Sequence, residues 1–151
     1  MEPRLRLFKL ASTAYKAMAA FDASIELDPR LRELVKLRAS QINGCAFCLD
    51  MHTTDALAMG EDTRRLGTLA AYDESPFFDE REKAALALTD AVTLVATTHV
   101  PDDVYDRAAK HFEDDELAQL IMAITAINAW NRIAITAGTQ PPAQPKSTVH
   151  R

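Results

Sequence analysis

Two cysteines and one histidine lie close together in the segment CAFCLDMH, which runs from Cys45 to His52. If this segment is helical, each residue turns by about 100°, and Cys45, Cys48 and His52 project from one narrow stripe. Unpaired backbone N–H groups at the start of such a helix favour a thiolate over a thiol. Together with an adjacent imidazole, they lower the pKa of a cysteine from about 8.5 to between about 3.5 and 7.5. The segment therefore predicts a reactive dithiol.

The spacing of the two cysteines favours reversible redox chemistry. Cysteines at i and i+3 can form a disulfide, but the loop it closes is too short to remove much chain entropy. One thiolate can instead attack a peroxide oxygen and become a sulfenic acid, which then condenses with the other thiol. We assign the attack to Cys48, because His52 is four residues further on and can exchange a proton with it. Cys45 then takes the resolving role.

Two other interpretations of the cysteine pair remain open. A Cys-x-x-Cys pair with a nearby histidine can begin a zinc site, although a structural site needs four ligands and no second Cys or His pair follows at suitable spacing. The two thiols can also be inert and buried, because free cysteine is among the most buried residue types. In either case the protein would be a structural helical oligomer rather than a redox enzyme.

Helical patterning extends over nearly the whole chain. Apolar residues recur at helical spacing up to Gly138, whereas the alternation typical of strands is essentially absent. Asp28-Pro29 is typical of a helix start and Asn43-Gly44 of its end, and the next helix begins at Gly44 or Cys45 and ends at Gly60. Other helices are predicted for about residues 5–22, 62–72, 79–98, 101–112 and 114–138. The sequence therefore predicts an all-α bundle of about seven helices in a single domain, residues 1–138, with a flexible C-terminal tail, residues 139–151.

Composition limits the classes of partner and the compartment. The 151 residues are 48% hydrophobic and 26% charged, as in a single soluble globular domain. A formal net charge of -5 argues against a nucleic-acid partner, because such affinity comes largely from clustered lysine and arginine. Polar residues interrupt the apolar stretches before the roughly 18 residues that a membrane span needs, and Lys16 breaks the only signal-like stretch. We therefore expect no membrane association and a cytoplasmic location.

The spacing of Glu33, Cys45, Cys48 and His52 matches a Glu-x11-Cys-x2-Cys-x3-His pattern. With this pattern and the segment 128–132, Asn-Ala-Trp-Asn-Arg, the sequence resembles the AhpD-like alkyl hydroperoxidases of the carboxymuconolactone decarboxylase superfamily over about residues 20–138. The resemblance implies an all-helical thiol peroxidase of antioxidant defence, in which Glu33 and His52 relay protons to the cysteine pair. It also implies a homo-oligomer, whether dimer, trimer or hexamer.

The same resemblance implies a substrate and a reductant. The substrate would be a hydroperoxide, and an external dithiol carrier of lipoyl or thioredoxin type would regenerate the thiols, without a metal or other cofactor. One position departs from the family pattern, because Phe47 replaces the histidine that the best-known members place immediately before the second cysteine. Phenylalanine cannot transfer protons. The superfamily also has a lactone decarboxylase branch that does not use a cysteine pair, so a non-redox enzyme is the alternative.

Polar residues at three places on the predicted helices each have two interpretations. Glu33 lies about 160° from the centre of the apolar stripe of its helix, so periodicity places it in solvent, whereas the resemblance places it in the site. Arg38 falls inside that stripe, which predicts either a stem with a solvated head or a buried pair with a carboxylate. The side chains of Asn128, Asn131 and Arg132 share one helix face, which could line a site but is more typical of a solvated stripe.

Overall fold

Short capping motifs set the ends of the helix that carries Glu33. The computed structural model describes residues 2–143. This helix, Pro29–Asn43, starts where the Asp28 carboxylate accepts a hydrogen bond from the Leu31 amide (2.9 Å), with proline in its first turn. It ends at Gly44, whose φ of 67° costs glycine little and other residues more. The predicted start and end of this helix are both confirmed.

All regular structure in residues 2–143 is helical, which confirms the all-α prediction. The chain continues beyond the last helix as non-regular structure to residue 143, and residues 144–151 of the predicted tail lie outside the described residues. The α-helices are α1 Leu7–Leu10, α2 Ser12–Ala23, α3 Pro29–Asn43, α4 Ala46–Ala58, α5 Thr63–Thr68, α6 Glu80–Thr93, α7 Val95–Thr98, α8 Asp102–Ala109 and α9 Asp114–Ala137, with a 3-10 turn at Leu69–Ala71.

The described residues contain nine α-helices rather than about seven, because two predicted helices are each divided. The opening helix breaks at Ala11, whose φ and ψ are -120° and 47°. The helix predicted for residues 79–98 breaks at Leu94, with φ and ψ of -96° and 23°. Apolar spacing continues across both breaks, so periodicity gives no sign of them. The helix start that precedes α6 is confirmed, with a reciprocal capping box between Asp79 and Glu82.

Helix α3 lies at the centre of the bundle and is covered on two sides. Leu31 and Val35 pack into a core cluster with residues of α6 and α9, whereas Leu34 and Leu37 pack with Ala56 of α4 in a second cluster. A helix that is covered on both faces buries polar as well as apolar positions. This arrangement places the α3 face that carries Glu33 against α4.

The last helix, α9, is long and apolar enough to cross a membrane, judged by length and composition alone. Half of the residues in the window that meets this test are buried inside the bundle (50%). Leu120, Ile124 and Ile127 are fully buried there, packed among α3, α6 and α4. Helix α9 therefore packs as a core helix of the bundle.

Arg38 forms a paired, partly buried contact between α3 and α6. Its Nε and Nη2 atoms donate to the two carboxylate oxygens of Asp90, at 2.6 and 3.0 Å. The Tyr72 hydroxyl donates to the same carboxylate at 3.0 Å. The hydrogen bond to Asp90 raises the pKa of Arg38, and burial raises the pKa of Tyr72. The interpretation of Arg38 as a pair with a carboxylate is therefore confirmed.

Candidate active site

The two cysteines lie on either side of the first residue of α4. Cys45 is the residue that precedes the helix, with an extended backbone (φ -88°, ψ 95°), and Cys48 lies in the first helical turn. Only Gly44 and Cys45 separate α3 from α4, and the Cys45 amide donates to the Ser40 carbonyl at 3.0 Å. Both thiols are free and 1% exposed. The short connection therefore holds the pair inside the bundle.

The prediction that the surroundings lower the pKa of the attacking thiol is wrong for Cys48. Burial, and next the hydrogen bond with the Cys45 thiol, raise the pKa of Cys48 to about 12. The Asn131 amide and the Lys36 charge lower it, but by less. Loss of water around the sulfur outweighs the helix N-terminus in this position. The Cys48 thiol is accordingly protonated at neutral pH, and its ionisation needs a base.

The raised pKa of Cys48 predicts a loss of stability at alkaline pH. An unfolded thiol titrates near 9.0, so below that pH the folded and unfolded chains both hold the proton. Between about pH 9 and 12 only the unfolded chain releases it, and the free energy of unfolding falls by up to about 1.4 kcal/mol per pH unit. Denaturant unfolding of the reduced protein at pH 8 to 11 measures this loss. The Cys48→Ser variant should lose less stability over the same interval, and equal losses in both proteins would contradict the assignment.

His52 is oriented by a buried carboxylate. Its Nδ1 atom lies 2.8 Å from Oε2 of Glu33, and the two residues are 5% and 7% exposed. An ionised carboxylate only accepts hydrogen bonds, so Nδ1 carries the proton and Nε2 is left as the basic atom. The expectation from periodicity that Glu33 is solvated is wrong, because α4 covers that face of α3. The structure therefore brings together the pair that the resemblance implied.

Cys48 and His52 line one pocket of about 990 Å³, and Cys45 is absent from its lining. Aromatic and apolar side chains form most of the wall, including those of Phe47 and Trp130. The remaining wall comes from residues 3–8 and from residues 139–143, beyond α9. A reactant in this pocket therefore meets both Cys48 and His52, whereas Cys45 does not line the pocket.

Sequence reasoning missed an ion cluster beside this pair. The Lys36 ammonium, on a residue that is 5% exposed, contacts both carboxylate oxygens of Asp22 at 3.0 Å. Arg32 donates to the same carboxylate at 3.3 Å. These side chains and the Glu33–His52 pair line a smaller pocket of about 310 Å³. The available signal was the position of Lys36 three residues after Glu33, on the same face of α3.

One group of donor atoms within residues 2–143 could hold a cation, formed by Glu33, His52 and Asp55, whose ligand atoms lie within 4.8 Å of one another. Neither cysteine belongs to it. The cationic side chains of Arg32 and Lys36 line the same pocket and oppose a bound metal. The geometry of the described residues therefore does not support the zinc interpretation of the cysteine pair.

The asparagines of α9 are buried, so their interpretation as a solvated stripe is wrong. Asn128 and Asn131 are 8% and 0% exposed, and both accept hydrogen bonds from the side chain of Asn43, at 3.0 and 2.9 Å. Asn131 lies between Ile127 and Ala134 on one face of α9, and these two residues belong to the same buried cluster as both cysteines. The asparagine network therefore adjoins the cysteine pair on the α9 side.

Comparisons with known proteins agree on one family. A sequence model of the carboxymuconolactone decarboxylase family matches residues 11–91. The uncharacterized protein YdfG of Bacillus subtilis (strain 168) is 39% identical over 143 residues, which are 93% of this chain and 97% of YdfG. A crystal structure from Agrobacterium tumefaciens, of a protein of unknown function provisionally assigned as the antioxidant defence protein AhpD, superposes with a TM-score of 0.91. It is 40% identical and the match covers 95% of this chain and 100% of that one.

A more distant structure shares the fold. An uncharacterized peroxidase-related protein with an alkylhydroperoxidase AhpD core, from Ralstonia eutropha JMP134, superposes with a TM-score of 0.77 at 21% identity. The match covers 93% of this chain and 77% of that one. The arrangement of α3, α4 and α9 around the cysteine pair thus belongs to a fold that persists at low sequence identity.

Proposed function

Since the chain belongs to the carboxymuconolactone decarboxylase family, we propose that it is an AhpD-like thiol-dependent peroxidase of antioxidant defence. The observation that carries this proposal is that Cys48 and His52, the latter paired with Glu33, line one apolar pocket. The site supplies a nucleophile, a base and a carboxylate that orients the base, which is the set of groups needed to activate a buried thiol. The Cys45 thiol, which is hydrogen-bonded to Cys48, is the second thiol that disulfide formation needs.

The proposed reaction begins when Nε2 of His52 takes the Cys48 proton as the sulfur attacks the terminal oxygen of the hydroperoxide. The O–O bond breaks, the alkoxide receives the proton from His52, and Cys48 becomes a sulfenic acid. The Cys45 thiol then attacks the sulfenic sulfur, water leaves and a disulfide forms. The hydroperoxide has gained two electrons and become an alcohol, and the carboxylate of Glu33 stabilises the imidazolium that forms on the way.

An external dithiol closes the cycle, because both cysteines are consumed by one turnover. We propose a carrier of lipoyl or thioredoxin type, acting in the cytoplasm, where small reductants keep such pairs reduced. A homo-oligomer is also part of the proposal, since Leu5, Phe8 and Leu10 of the N-terminal segment are each about half or more exposed. Neither a nucleic acid nor a membrane is proposed as a partner.

Trapping of sulfenic acid tests the proposal directly. The reduced protein and its Cys45→Ser and Cys48→Ser variants are given one equivalent of an organic hydroperoxide together with a sulfenic-acid reagent, and adducts are located by mass spectrometry. We expect an adduct on Cys48 in the Cys45→Ser variant, a disulfide in the unsubstituted protein, and no adduct on Cys45 in the Cys48→Ser variant. An adduct confined to Cys45 would reverse the two roles.

The same preparations separate the alternative functions. Stoichiometric zinc with unreactive thiols would favour the structural interpretation over the peroxidase. Turnover of a lactone that survives replacement of both cysteines would favour the non-redox branch of the superfamily. We do not expect zinc, because neither cysteine belongs to the one group of described residues that could hold a cation. We do not expect cysteine-independent turnover, because Cys48 lines the pocket.

A further inference from the structure

The polar network on α9 has a fixed direction, which starts at Arg132. The Nη1 atom of Arg132 donates to two oxygens of Asn128, the backbone carbonyl at 2.9 Å and the side-chain Oδ1 at 3.0 Å. A guanidinium can only donate, so the atom that it meets on Asn128 must be the amide oxygen. The Nδ2 atom of Asn128 donates to the Ile124 carbonyl at 3.0 Å, and a carbonyl can only accept. The orientation of the Asn128 amide is therefore set by both neighbours.

This orientation passes through Asn43 to Asn131. The Asn43 atom that contacts Oδ1 of Asn128 must be the donor Nδ2, and the same Nδ2 lies 2.9 Å from Asn131. The Asn131 atom on that side is consequently Oδ1, so its NH2 group is directed away from Asn43. The donor at Arg132 thus fixes the orientation of the Asn128 amide, and through Asn43 that of the Asn131 amide.

Ser40 confirms the direction from the other end. Its hydroxyl donates to the Lys36 carbonyl at 2.7 Å, so the Ser40 oxygen is free to accept. Nδ2 of Asn131 donates to that oxygen at 3.0 Å. One N–H of the Asn131 amide is then occupied and a second remains. Asn131 is fully buried, and a buried amide N–H without an acceptor is costly.

We infer that Asn131 donates its remaining N–H to the Cys48 sulfur and favours the thiolate there, with its amide held in the donating orientation by the chain from Arg132. Ile127 and Ala134, which lie on the same face of α9 as Asn131, belong to one buried cluster with both cysteines, so the Asn131 amide adjoins the cysteine pair. The inference rests on the proposed function only in taking Cys48 as the reactive thiol. It adds a hydrogen-bond donor on a third helix to the groups of α3 and α4.

The surroundings of Cys48 make such a donor necessary. Phe47 cannot donate a hydrogen bond, and burial opposes the charged sulfur. The hydrogen bond from Asn131 acts against burial and lowers the pKa of the thiol. The ionisable groups around this site come from four elements: Cys45, His52 and Asp55 at or on α4, Arg32, Glu33 and Lys36 on α3, Tyr15 and Asp22 on α2, and Arg6 in the N-terminal segment.

Thiol titration tests this inference without any peroxide. In a Cys45→Ser background only Cys48 can be alkylated, and the rate of its reaction with iodoacetamide is followed from pH 6 to 11. We expect Asn131→Ala to move the profile to higher pH, and a displacement by one pH unit lowers the rate at pH 8 about tenfold. Asn131→Leu keeps roughly the size of the side chain and adds no charge but removes the donor, so it supplies a second variant if alanine disrupts packing.

Two further variants distinguish a directed hydrogen bond from general loosening. Arg132→Met removes the group that sets the polarity, so we expect the profile to move in the same direction as in Asn131→Ala but less far. Thr93→Val has a matched shape and removes another hydrogen bond of the network, from Nδ2 of Asn128 to Thr93 (3.0 Å), and we expect the profile to stay in place. An unchanged profile in both Asn131 variants, or an equal displacement in Thr93→Val, would overturn the inference.

The outcome is independent of peroxidase activity. If the parent protein forms no sulfenic acid but Asn131→Ala still displaces the alkylation profile, the proposed function fails and the inference stands. If sulfenic acid forms on Cys48 but the profile does not move, the inference fails and the proposed function stands.

Discussion

Replacement of His52 by alanine is expected to slow the oxidation of Cys48 by a hydroperoxide by about 10²- to 10⁴-fold, which is the usual contribution of a positioned acid–base group. The expected effect is large because the pKa of Cys48 is raised to about 12, so very little thiolate exists at neutral pH without a base. Stopped-flow measurement of single-turnover oxidation in the Cys45→Ser background isolates this step. A loss smaller than about threefold would remove His52 from the proton transfer.

Glu33→Gln is the matched control for the orientation of the imidazole. Glutamine keeps an oxygen that can accept from Nδ1 of His52, but it removes the negative charge that stabilises the imidazolium. We expect a smaller loss of rate than in His52→Ala, together with a changed pH dependence of the rate, because the imidazolium that forms during proton transfer has lost its negative partner. An unchanged pH profile would mean that Glu33 only packs against the ring.

Replacement of Asp22 by alanine should lower the free energy of unfolding by about 3 kcal/mol, the lower end of the range for a broken buried ion pair. The Lys36 side chain is 6% exposed, and its ammonium would lose both carboxylate contacts while remaining buried. The Asp22 side chain is 22% exposed, which places the loss at the lower end. Urea denaturation at neutral pH measures the change.

The double variant Asp22→Ala/Lys36→Met separates loss of the pair from loss of packing. Methionine fills the space of the lysine stem without a charge, and an apolar replacement of a buried pair is often neutral or stabilising. We expect the double variant to be more stable than Asp22→Ala alone. If both proteins lose equal stability, the effect of Asp22 comes from its packing and its contact with Arg32 rather than from the unpaired ammonium.

The helices around the site were predictable where local chemistry determines them. The Asp28 cap with its following proline, the Asp79–Glu82 capping box and the glycines after α3 and α9 each act within a few residues, so the sequence reveals them. The breaks at Ala11 and Leu94 were not predictable, because no glycine or proline marks them and apolar spacing continues across them.

The candidate site shows the same division between local and tertiary effects. The i, i+4 spacing was enough to put Cys48 and His52 on one side of α4, whereas Cys45 precedes the helix and does not share their pocket, so the predicted stripe of three residues is wrong for Cys45. Glu33 and Asn131 are buried because other helices cover α3 and α9. The sequence of one helix does not indicate which helices will pack against it. The pKa of Cys48 was mispredicted for this reason, since the helix terminus acts locally and the exclusion of water comes from three packed helices.

The two ends of the described chain have a further consequence for access to the sulfur. The Arg4 amide donates to the Ala137 carbonyl at 2.7 Å, which ties the N-terminal segment to the last turn of α9 beside the pocket. The N-terminal segment therefore forms part of the rim of the pocket, whereas Cys48 and His52 are buried in the bundle. The approach of a reactant to Cys48 consequently depends on how this segment is held against α9, and not on the core helices alone.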